Sequence, residues 1–243
     1  IDSQGNAACL TFEDNLLVNE VPFRSTTINL LRNHNLERSE EWTFSDESES
    51  TATGAYVSGS SFHGSKAIKI SKTNTSGLSF FRQNQNLTKG QTYTLSAYLK
   101  TADIAGTGGA ILIARYKDSA GSWVEERSVP VTGTKDWQRL CLTFTFPANS
   151  SSTEAQICLA LAEATGTVWY DCPQLEKGPA PTCYNLVENS SFELDSDGDG
   201  MPDRWSSANL TANDKAVTNQ KRFDSRSFRI YGGPTVSKNV SQP

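Results

Sequence analysis

The 243-residue sequence predicts an all-β protein: a jelly-roll β-sandwich of two antiparallel sheets, followed by the N-terminal part of a second such module. Short runs alternate apolar and polar residues with a period of two. Clusters of Gly, Ser, Asn and Thr separate these runs, and apolar residues do not recur at helical spacing over three turns. Half-buried strands of this kind pack as two sheets face to face.

The clearest strand is 92–101. Its residues 93, 95, 97 and 99 are apolar and share one face, which we expect to be the core face, whereas Ser96, Tyr98 and Lys100 share the opposite face. Gly-containing turns at 88–91, 106–109, 119–122 and 165–166 are predicted to connect neighbouring strands. The predicted strands are 66–71, 78–84, 92–101, 110–117, 137–146, 156–162 and 167–172.

An internal repeat predicts the domain organisation. The stretch 29–37, Asn-Leu-Leu-Arg-Asn-His-Asn-Leu-Glu, recurs at 185–193 as Asn-Leu-Val-Glu-Asn-Ser-Ser-Phe-Glu, and a Trp and later a Gln follow each copy. We therefore expect a leader or upstream element over 1–27, a complete module over 28–183 and an incomplete second module over 184–243. An incomplete sandwich exposes strand edges, so strand pairing with another module or chain is one expected interaction.

Composition argues against several function classes. The net charge of −5 provides no concentrated basic face, so we expect no nucleic acid partner. No apolar run approaches the roughly 20 residues that span a bilayer, so we expect no membrane insertion. The five Cys include no Cys-x-x-Cys pair and there are only two His, which supports mostly free thiols rather than a zinc site.

Several stretches together resemble a known family. These are the repeated opening motif with its Trp, the stretch 87–100, Asp-Trp-Gln-Arg at 136–139, and Gly-Thr-Val-Trp-Tyr-Asp-Cys-Pro-Gln-Leu-Glu at 166–176. They resemble the carbohydrate-binding modules of the CBM4/9/22-like jelly-roll group. The sequence of the last two stretches is most similar to modules of large bacterial YD-repeat (RHS-type) wall-associated proteins. The resemblance implies a non-catalytic module of secreted or cell-surface origin, with a polysaccharide or glycan as its expected partner.

The stretch 195–203 carries the sharpest chemical signal. Carboxylates stand at its positions 1, 3, 5 and 9 and a Gly at position 6, a spacing that suits the oxygen ligands and sharp turn of a calcium loop. Ser206 stands where an EF-hand has its bidentate Glu, and a solvated acidic turn is the alternative. The predicted Ca²⁺ ligands are Asp195, Asp197, Asp199, Met201 and Asp203.

A second calcium site follows from the resemblance alone. Jelly rolls of this group often hold a structural ion near the Glu of the opening motif and the Asp of the last strand. These are Glu37 and Asp171, with Glu193 as the counterpart of Glu37 in the second copy. The alternative is that both carboxylates only accept hydrogen bonds from the main chain.

Sugar binding requires exposed aromatic rings and polar groups that reach hydroxyls. Tyr98 and Trp123, the latter expected in a loop, are the candidate aromatic contacts. Trp42, Trp137 and Trp169 are expected in the core or at sheet edges instead. The predicted ligand-binding residues are Ser96, Tyr98, Lys100, Arg115, Trp123 and Gln156.

The sequence contains no nucleophile elbow, no Ser/His/Asp set with an orienting partner and no phosphate loop, so we expect no catalytic activity. Two alternatives to sugar recognition stay open. The chain could be a structural or adhesive spacer that binds no glycan, or an assembly element that acts through its half module.

Overall fold

The computed structural model describes residues 12–13, 16–17, 28–47, 52–182, 184–185, 187–221, 225–232 and 236–242. All regular secondary structure in these ranges is β-strand, which confirms the predicted all-β class. No helix with the length and apolar character of a membrane span occurs within the ranges described. Most of the predicted leader, residues 1–27, lies outside them.

Fourteen strands are described, and the chain divides into two compact units, of which the larger spans Leu30–Tyr184. The strands are β1 (Phe12–Glu13), β2 (Leu16–Leu17), β3 (Thr43–Asp46), β4 (Ala52–Ser58), β5 (Lys66–Lys72), β6 (Leu78–Asn86), β7 (Thr92–Lys117), β8 (Trp123–Arg127), β9 (Gly133–Thr145), β10 (Glu154–Lys177), β11 (Ser206–Ala208), β12 (Lys215–Val217), β13 (Ser227–Arg229) and β14 (Asn239–Ser241).

The larger unit is a jelly-roll sandwich whose two sheets share their longest strands. Sheet A consists of β4, β5, the C-terminal half of β10, the N-terminal half of β7, and β9, in that order. Sheet B consists of β3, β6, the N-terminal half of β10, the C-terminal half of β7, and β8. All neighbours in both sheets are antiparallel, as predicted.

The strands β7 and β10 pass from one sheet to the other through bends, not turns. The register between them shifts at 162–164 and at 165–167. Gly166 lies at φ 112°, and a Cβ there would stand 2.6 Å from the carbonyl oxygen of Asp103. The expected connections at 106–109 and 165–166 are therefore wrong: a bulged strand turns the corner while keeping most of its ladder hydrogen bonds.

One hydrophobic core fills the space between the sheets. The inward residues of 92–101 contribute to it, and Leu95, Ala97 and Leu99 are fully buried, as the alternation predicts. Tyr170 is also fully buried, and its hydroxyl lies 2.7 Å from the carbonyl of Ala160 and 3.0 Å from that of Ile111. These contacts tie Tyr170 to the cross-strand pair Ala160–Ile111, next to the bend of the two long strands.

A second, smaller buried cluster lies on the outer side of sheet B. Arg115 covers it, with its guanidinium carbon 5.3 Å from the ring centre of Phe80. Ion pairs of Arg115 and Arg127 with acidic side chains border the cluster. Its members are Leu78, Phe80, Ile111, Ile113, Cys158, Ala160 and Ala162.

The opening motif is held by the same hydrogen bonds in both units. The side-chain amide of Asn33 donates to two main-chain carbonyls of the following loop, at 2.6 and 2.9 Å. The amide of Asn189 does the same at 2.8 and 3.0 Å. Both residues lie in the left-handed region, at φ 46° and 45°, which Asn tolerates well. The side-chain amide of each Asn thus closes a local loop with residues that follow it in sequence.

Two further side chains recur in equivalent roles. The amide of Gln83 exchanges two hydrogen bonds with the main chain of Arg32, at 2.8 and 2.9 Å. Gln242 exchanges two with Glu188, at 3.0 and 2.5 Å. In the smaller unit β11 pairs with β14, which corresponds to the pairing of β3 with β6 in the larger unit. Likewise β12 pairs with β13, which corresponds to the pairing of β4 with β5. No strand in the described part of that unit stands between β13 and β14, where the larger unit has β10.

Candidate functional site

The outer side of sheet A carries four aromatic side chains, which we call the aromatic face: Phe62, Tyr98, Trp137 and Trp169. Tyr98 points away from the core, as the alternation predicts, and the ring of Phe62 stacks on it with centres 3.7 Å apart and planes 9° apart. The ring of Trp137 lies 6.0 Å from that of Phe62. Trp169 stands opposite Lys100, the next outward residue after Tyr98.

Main-chain hydrogen bonds to a buried carboxylate hold Phe62 in place. Asp171 lies opposite Tyr98 on β10, and its Oδ2 accepts hydrogen bonds from the N–H groups of Phe62 (2.8 Å) and His63 (2.9 Å). Burial raises the pKa of Asp171 to about 6, although these N–H donors and that of Cys172 act to lower it. Asp171 therefore fixes the loop that carries the exposed ring.

Glu37 holds the other end of the same loop. Its Oε1 accepts hydrogen bonds from the N–H groups of Ser65 (2.7 Å) and Lys66 (3.1 Å), and the Ser65 hydroxyl donates to Oε2. Burial acts to raise the pKa of Glu37, but these hydrogen bonds outweigh it and the pKa is lowered. Glu193 accepts equivalent hydrogen bonds from the N–H groups of residues 225 and 226.

These contacts correspond to the alternative interpretation of Glu37 and Asp171. The oxygens of both carboxylates are engaged by N–H and O–H donors, which compete with a cation for the same lone pairs. The two residues do not belong to any cluster of three potential metal ligands among the described residues. The geometry thus gives no support to the predicted calcium ion at this edge of the sandwich.

Cationic side chains lie between the rings of the aromatic face. The ammonium nitrogen of Lys69 is 5.7 Å from the ring centre of Trp169, and the guanidinium carbon of Arg139 is 5.9 Å from that of Tyr98. Lys100 is 43% exposed and lies 3.7 Å from the exposed carboxylate of Asp136. The face therefore combines apolar rings with N–H donors, both of which sugar binding requires.

A polar network covers the other half of the outer side of sheet A. Arg139 donates to the hydroxyl of Ser96 (3.0 Å), to the amide oxygen of Gln174 (2.5 Å) and to the carbonyl of Thr182 (2.7 Å). Ser96 is fully buried beneath this network. The prediction that Ser96 contacts a ligand is therefore wrong, because residues that follow β10 fold back over it.

The six predicted ligand-binding residues lie on two different sheets. Tyr98 and Lys100 reach the aromatic face, although the ring of Phe62 covers one face of the Tyr98 ring. Arg115 and Gln156 are cross-strand neighbours on the outer side of sheet B, where Arg115 pairs with Glu47 and Glu125, both at 3.0 Å. The predicted set therefore does not form one site.

Trp123 belongs to a strand, because it begins β8 and pairs with Lys117 on sheet B. Its expected position in a loop is wrong. The ring is 45% exposed, with the ammonium nitrogen of Lys117 5.6 Å from its centre. Trp123 therefore lies apart from the aromatic face, which is on sheet A.

Of the aromatic face, only Tyr98 was predicted from the sequence as a ligand contact. Trp42 is buried in the core, as expected. Trp137 lies on β9, the edge strand of sheet A, in agreement with the expected sheet-edge position, whereas Trp169 lies on the inner strand β10; both are half-buried on the outer side of sheet A. The signal was present, because Trp137 is two residues before the outward Arg139 and Trp169 is two residues before the outward Asp171. Phe62 lies in a loop, where no alternation could reveal its position.

The acidic loop, residues 195–203, brings three of its predicted ligands together. One carboxylate oxygen from each of Asp195, Asp197 and Asp199 lies within 4.8 Å of those of the other two. Two like charges 4 Å apart repel by about 1 kcal/mol even in bulk water. The N–H of Met201 donates to Asp199 Oδ1 at 2.7 Å, and Asp203 Oδ1 accepts from the N–H of Ser196 at 3.0 Å. Asp203 thus closes the loop and stands apart from the cluster.

Three cysteines among the described residues have free thiols. Cys158 and Cys172 are buried, and burial raises the pKa of both thiols well above its usual range. Cys141 is exposed on the outer side of sheet A. Cys9 and Cys183 lie outside the described residues.

Solved structures similar to this chain include the CBM22-1 xylan-binding domain of Paenibacillus barcinonensis Xyn10C, at 12% identity and a TM-score of 0.46. That match covers 65% of this chain and 95% of the other. A CBM4 module matches at 17% identity and a TM-score of 0.44, over 61% of this chain and 99% of the other.

Curated relatives are bacterial proteins of far greater length. The tRNA(Glu)-specific nuclease WapA of Bacillus subtilis subsp. natto is 36% identical over 140 residues, and the tRNA nuclease WapA of Bacillus subtilis strain 168 is 35% identical over 138 residues. Each match covers 53% of this chain but only 6% of the relative. The chain therefore spans a small part of the relatives it matches.

A family model described as a carbohydrate binding domain matches residues 28–165. The matched range includes the opening motif, sheet B with the bend of β7, and Phe62, Tyr98 and Trp137 of the aromatic face. Because this range is more than half of the 243 residues, the chain belongs to the CBM4/9 carbohydrate binding domain family.

Proposed function

We propose that the unit Leu30–Tyr184 is a non-catalytic module that binds a polysaccharide or glycan on its aromatic face. The observation that carries the proposal is the arrangement of Phe62, Tyr98, Trp137 and Trp169 on one side of sheet A. Rings that stand at a sheet surface stack on the apolar faces of sugar rings, and nearby donors reach the hydroxyl groups. Membership of the family supports the same ligand class.

Phe62 and Trp137 are the proposed stacking pair. Phe62 is 40% exposed, and its inner face is already occupied by Tyr98, so its outer face is available to a ligand. The planes of the Phe62 and Trp137 rings differ by 58°, which presents two differently inclined surfaces to successive units of a chain. Tyr98 is proposed to position Phe62 and not to stack on sugar itself.

The proposed polar contacts come from Lys69 and Lys100. Each is on the same side of sheet A as Trp169, and the register places Trp169 between them. An ammonium group donates up to three hydrogen bonds and accepts none, so these side chains suit hydroxyl and carboxylate oxygens of a glycan. The net charge of −5 agrees with the expectation that nucleic acid is not the ligand.

The experiment is affinity measurement of the full chain on a broad glycan array and on soluble polysaccharides by affinity electrophoresis. Phe62→Ala/Trp137→Ala is expected to weaken binding at least about 10-fold, because stacking on two rings is lost. Trp123→Ala removes an exposed Trp from sheet B and should leave affinity unchanged. Wild-type binding that survives the double substitution would refute the proposed face.

Absence of binding across the whole array would favour the alternative, a structural or adhesive spacer. The observation that favours sugar recognition over that alternative is the contact of the exposed Phe62 with the half-buried Trp137 on the outer side of sheet A. A face of Thr side chains alone, such as the Thr94–Thr143 pair at 3.0 Å, would have favoured the spacer.

We also propose that the parent is a secreted or cell-surface bacterial protein of the YD-repeat (RHS) type. The identity of about 35% to long Bacillus proteins supports a bacterial parent of large size. Immunoblots of the culture medium and of the cell-wall fraction test this placement. Detection in the cytoplasmic fraction alone would contradict it.

Strand pairing of the smaller unit is the third element of the proposal. In the larger unit β10 pairs with the strands that correspond to β13 and β14, and the described part of the smaller unit has no strand in that place. Analytical ultracentrifugation should then show a mass that rises with concentration. A constant monomer mass would contradict pairing between copies of this chain.

A further inference from the structure

The geometry points to a calcium site in the acidic loop, formed by the carboxylates of Asp195, Asp197 and Asp199 and independent of the proposed sugar-binding face. One oxygen from each carboxylate lies within 4.8 Å of the other two. A cation bound at the centre of such a cluster contacts all three oxygens and removes their mutual repulsion.

The second and independent observation is the state of Asp195. Its side chain is only 6% exposed, and its Oδ2 forms an ion pair with Arg226 at 3.0 Å. Its Oδ1 is buried and has no hydrogen-bond partner. A buried carboxylate oxygen normally has a donor or a cation beside it, because leaving it unpaired is costly. Arg226 satisfies one oxygen, and the other is the proposed ligand atom.

The loop backbone supports convergence of the ligands. Gly200 lies at φ 84°, a backbone conformation that residues other than Gly rarely adopt. A turn at this position directs the flanking carboxylates to one centre. The carbonyl of Gly200 accepts a hydrogen bond from the N–H of Ala216 at 3.0 Å, which ties the loop to β12. The ligands are thus attached to a strand pair of the same unit.

The donor set selects the cation. All three ligands are carboxylates, which favour hard cations over the softer metals that Cys and His bind. Ca²⁺ accepts an irregular set of oxygens with waters in the remaining positions, whereas Mg²⁺ requires near-ideal octahedral geometry. Because Ser206 replaces the bidentate Glu, we expect a Kd on the order of 10⁻⁴ to 10⁻³ M, the range of extracellular modules.

The corresponding loop of the larger unit offers a comparison within the chain. There, Glu37 is followed by Trp42 five residues later, whereas Glu193 is followed by Trp205 after the inserted acidic loop. The residues on either side of the insertion keep equivalent hydrogen bonds in both units. The acidic loop is therefore an addition to an otherwise complete motif, and the proposed ion is a property of the second copy.

Equilibrium dialysis of the full chain against ⁴⁵Ca²⁺, at total calcium up to about 10 mM, measures the ion directly. We expect one ion per chain. Asp197→Asn and Asp199→Asn should each weaken binding at least about 10-fold, because ligand charge sets the affinity of such sites. The matched control, Glu154→Gln, removes one charge from an exposed side chain of the larger unit and should bind calcium like the wild type.

Wild-type protein that binds no calcium under these conditions would overturn the inference, and so would full affinity in both Asn variants. Equal loss in Glu154→Gln would also overturn it, because it would indicate a general charge effect. The wild-type dialysis decides the question even if a variant unfolds. Glycan affinity measured with calcium and with chelator reports separately on the aromatic face, so failure of one proposal leaves the other distinguishable.

Discussion

Substitution of Asn33 tests why the opening motif begins as it does. Asn33 is fully buried at φ 46°, donates to the carbonyls of Arg38 and Glu40, and accepts from the N–H of Arg38 at 3.2 Å. Asn33→Ala removes all three hydrogen bonds, each of which contributes about 1 kcal/mol. Ala in the left-handed region costs roughly 1 kcal/mol more. We expect the free energy of unfolding of the larger unit to fall by about 4 kcal/mol.

Two further variants separate the contributions. Asn33→Gly loses the same hydrogen bonds but adopts the left-handed conformation freely, so it should be about 1 kcal/mol more stable than Asn33→Ala. Asn35→Ala, two residues away, removes a single bond of 3.4 Å to the N–H of Glu37 and should cost less than about 1 kcal/mol.

Urea denaturation followed by Trp fluorescence measures these values. A Trp205→Phe background removes the single Trp of the smaller unit, so that the signal comes from the larger unit alone. The expected loss corresponds to a fall in Tm of roughly 8–16 °C for a unit of this size. If Asn33→Ala and Asn35→Ala destabilise equally, the hydrogen bonds of Asn33 do not hold the motif and the reasoning fails.

Three other predictions follow from buried groups. Tyr170→Phe should lower the free energy of unfolding by about 1–3 kcal/mol, since two buried carbonyls lose their hydroxyl partner; urea denaturation showing a loss under about 0.5 kcal/mol would contradict this. Asp171 has a folded-state pKa of about 6, above its unfolded value of 3.8, so the folded protein binds the extra proton. Wild-type stability relative to Asp171→Asn should therefore rise as pH falls from 7 to 4, by on the order of 3 kcal/mol, whereas a constant difference would refute the raised pKa. Burial lowers the pKa of His34 to about 4, so His34 makes the stability of the folded protein fall as pH falls. Comparison with Asp171→Asn cancels this contribution, because His34 is present in both proteins. Finally, iodoacetamide should label Cys141 but neither Cys158 nor Cys172 in the native protein, as read by peptide mass spectrometry; rapid native labelling of Cys158 would show that sheet B opens.

The sequence by itself determined the local features of this protein. Period-two alternation located the core face of 92–101, because neighbouring side chains of a strand point to opposite sides whatever the strand pairs with. The repeated motif likewise predicted a repeated loop, since the hydrogen bonds of Asn33 and Asn189 close within a few residues. Spacing alone also predicted that Asp195, Asp197 and Asp199 come together, as carboxylates of a single short turn.

Only the tertiary structure decided which faces share a sheet. Alternation identifies the outward residues of a strand but not the strands or segments beside it. Ser96 and Arg115 were therefore both predicted to contact a ligand. Ser96 is buried beneath the segment that follows β10, whereas Arg115 lies on the outer side of sheet B. From the sequence, the bends of β7 and β10 were predicted to be turns, because Gly occurs in turns and in bulged strands alike. Only the register of the two strands shows that they are bulges. Phe62 stacks on Tyr98 because its N–H is held by Asp171, which is more than a hundred residues from Phe62 in sequence. Contacts at such separation are fixed by the packing of the whole sandwich, and no local pattern encodes them.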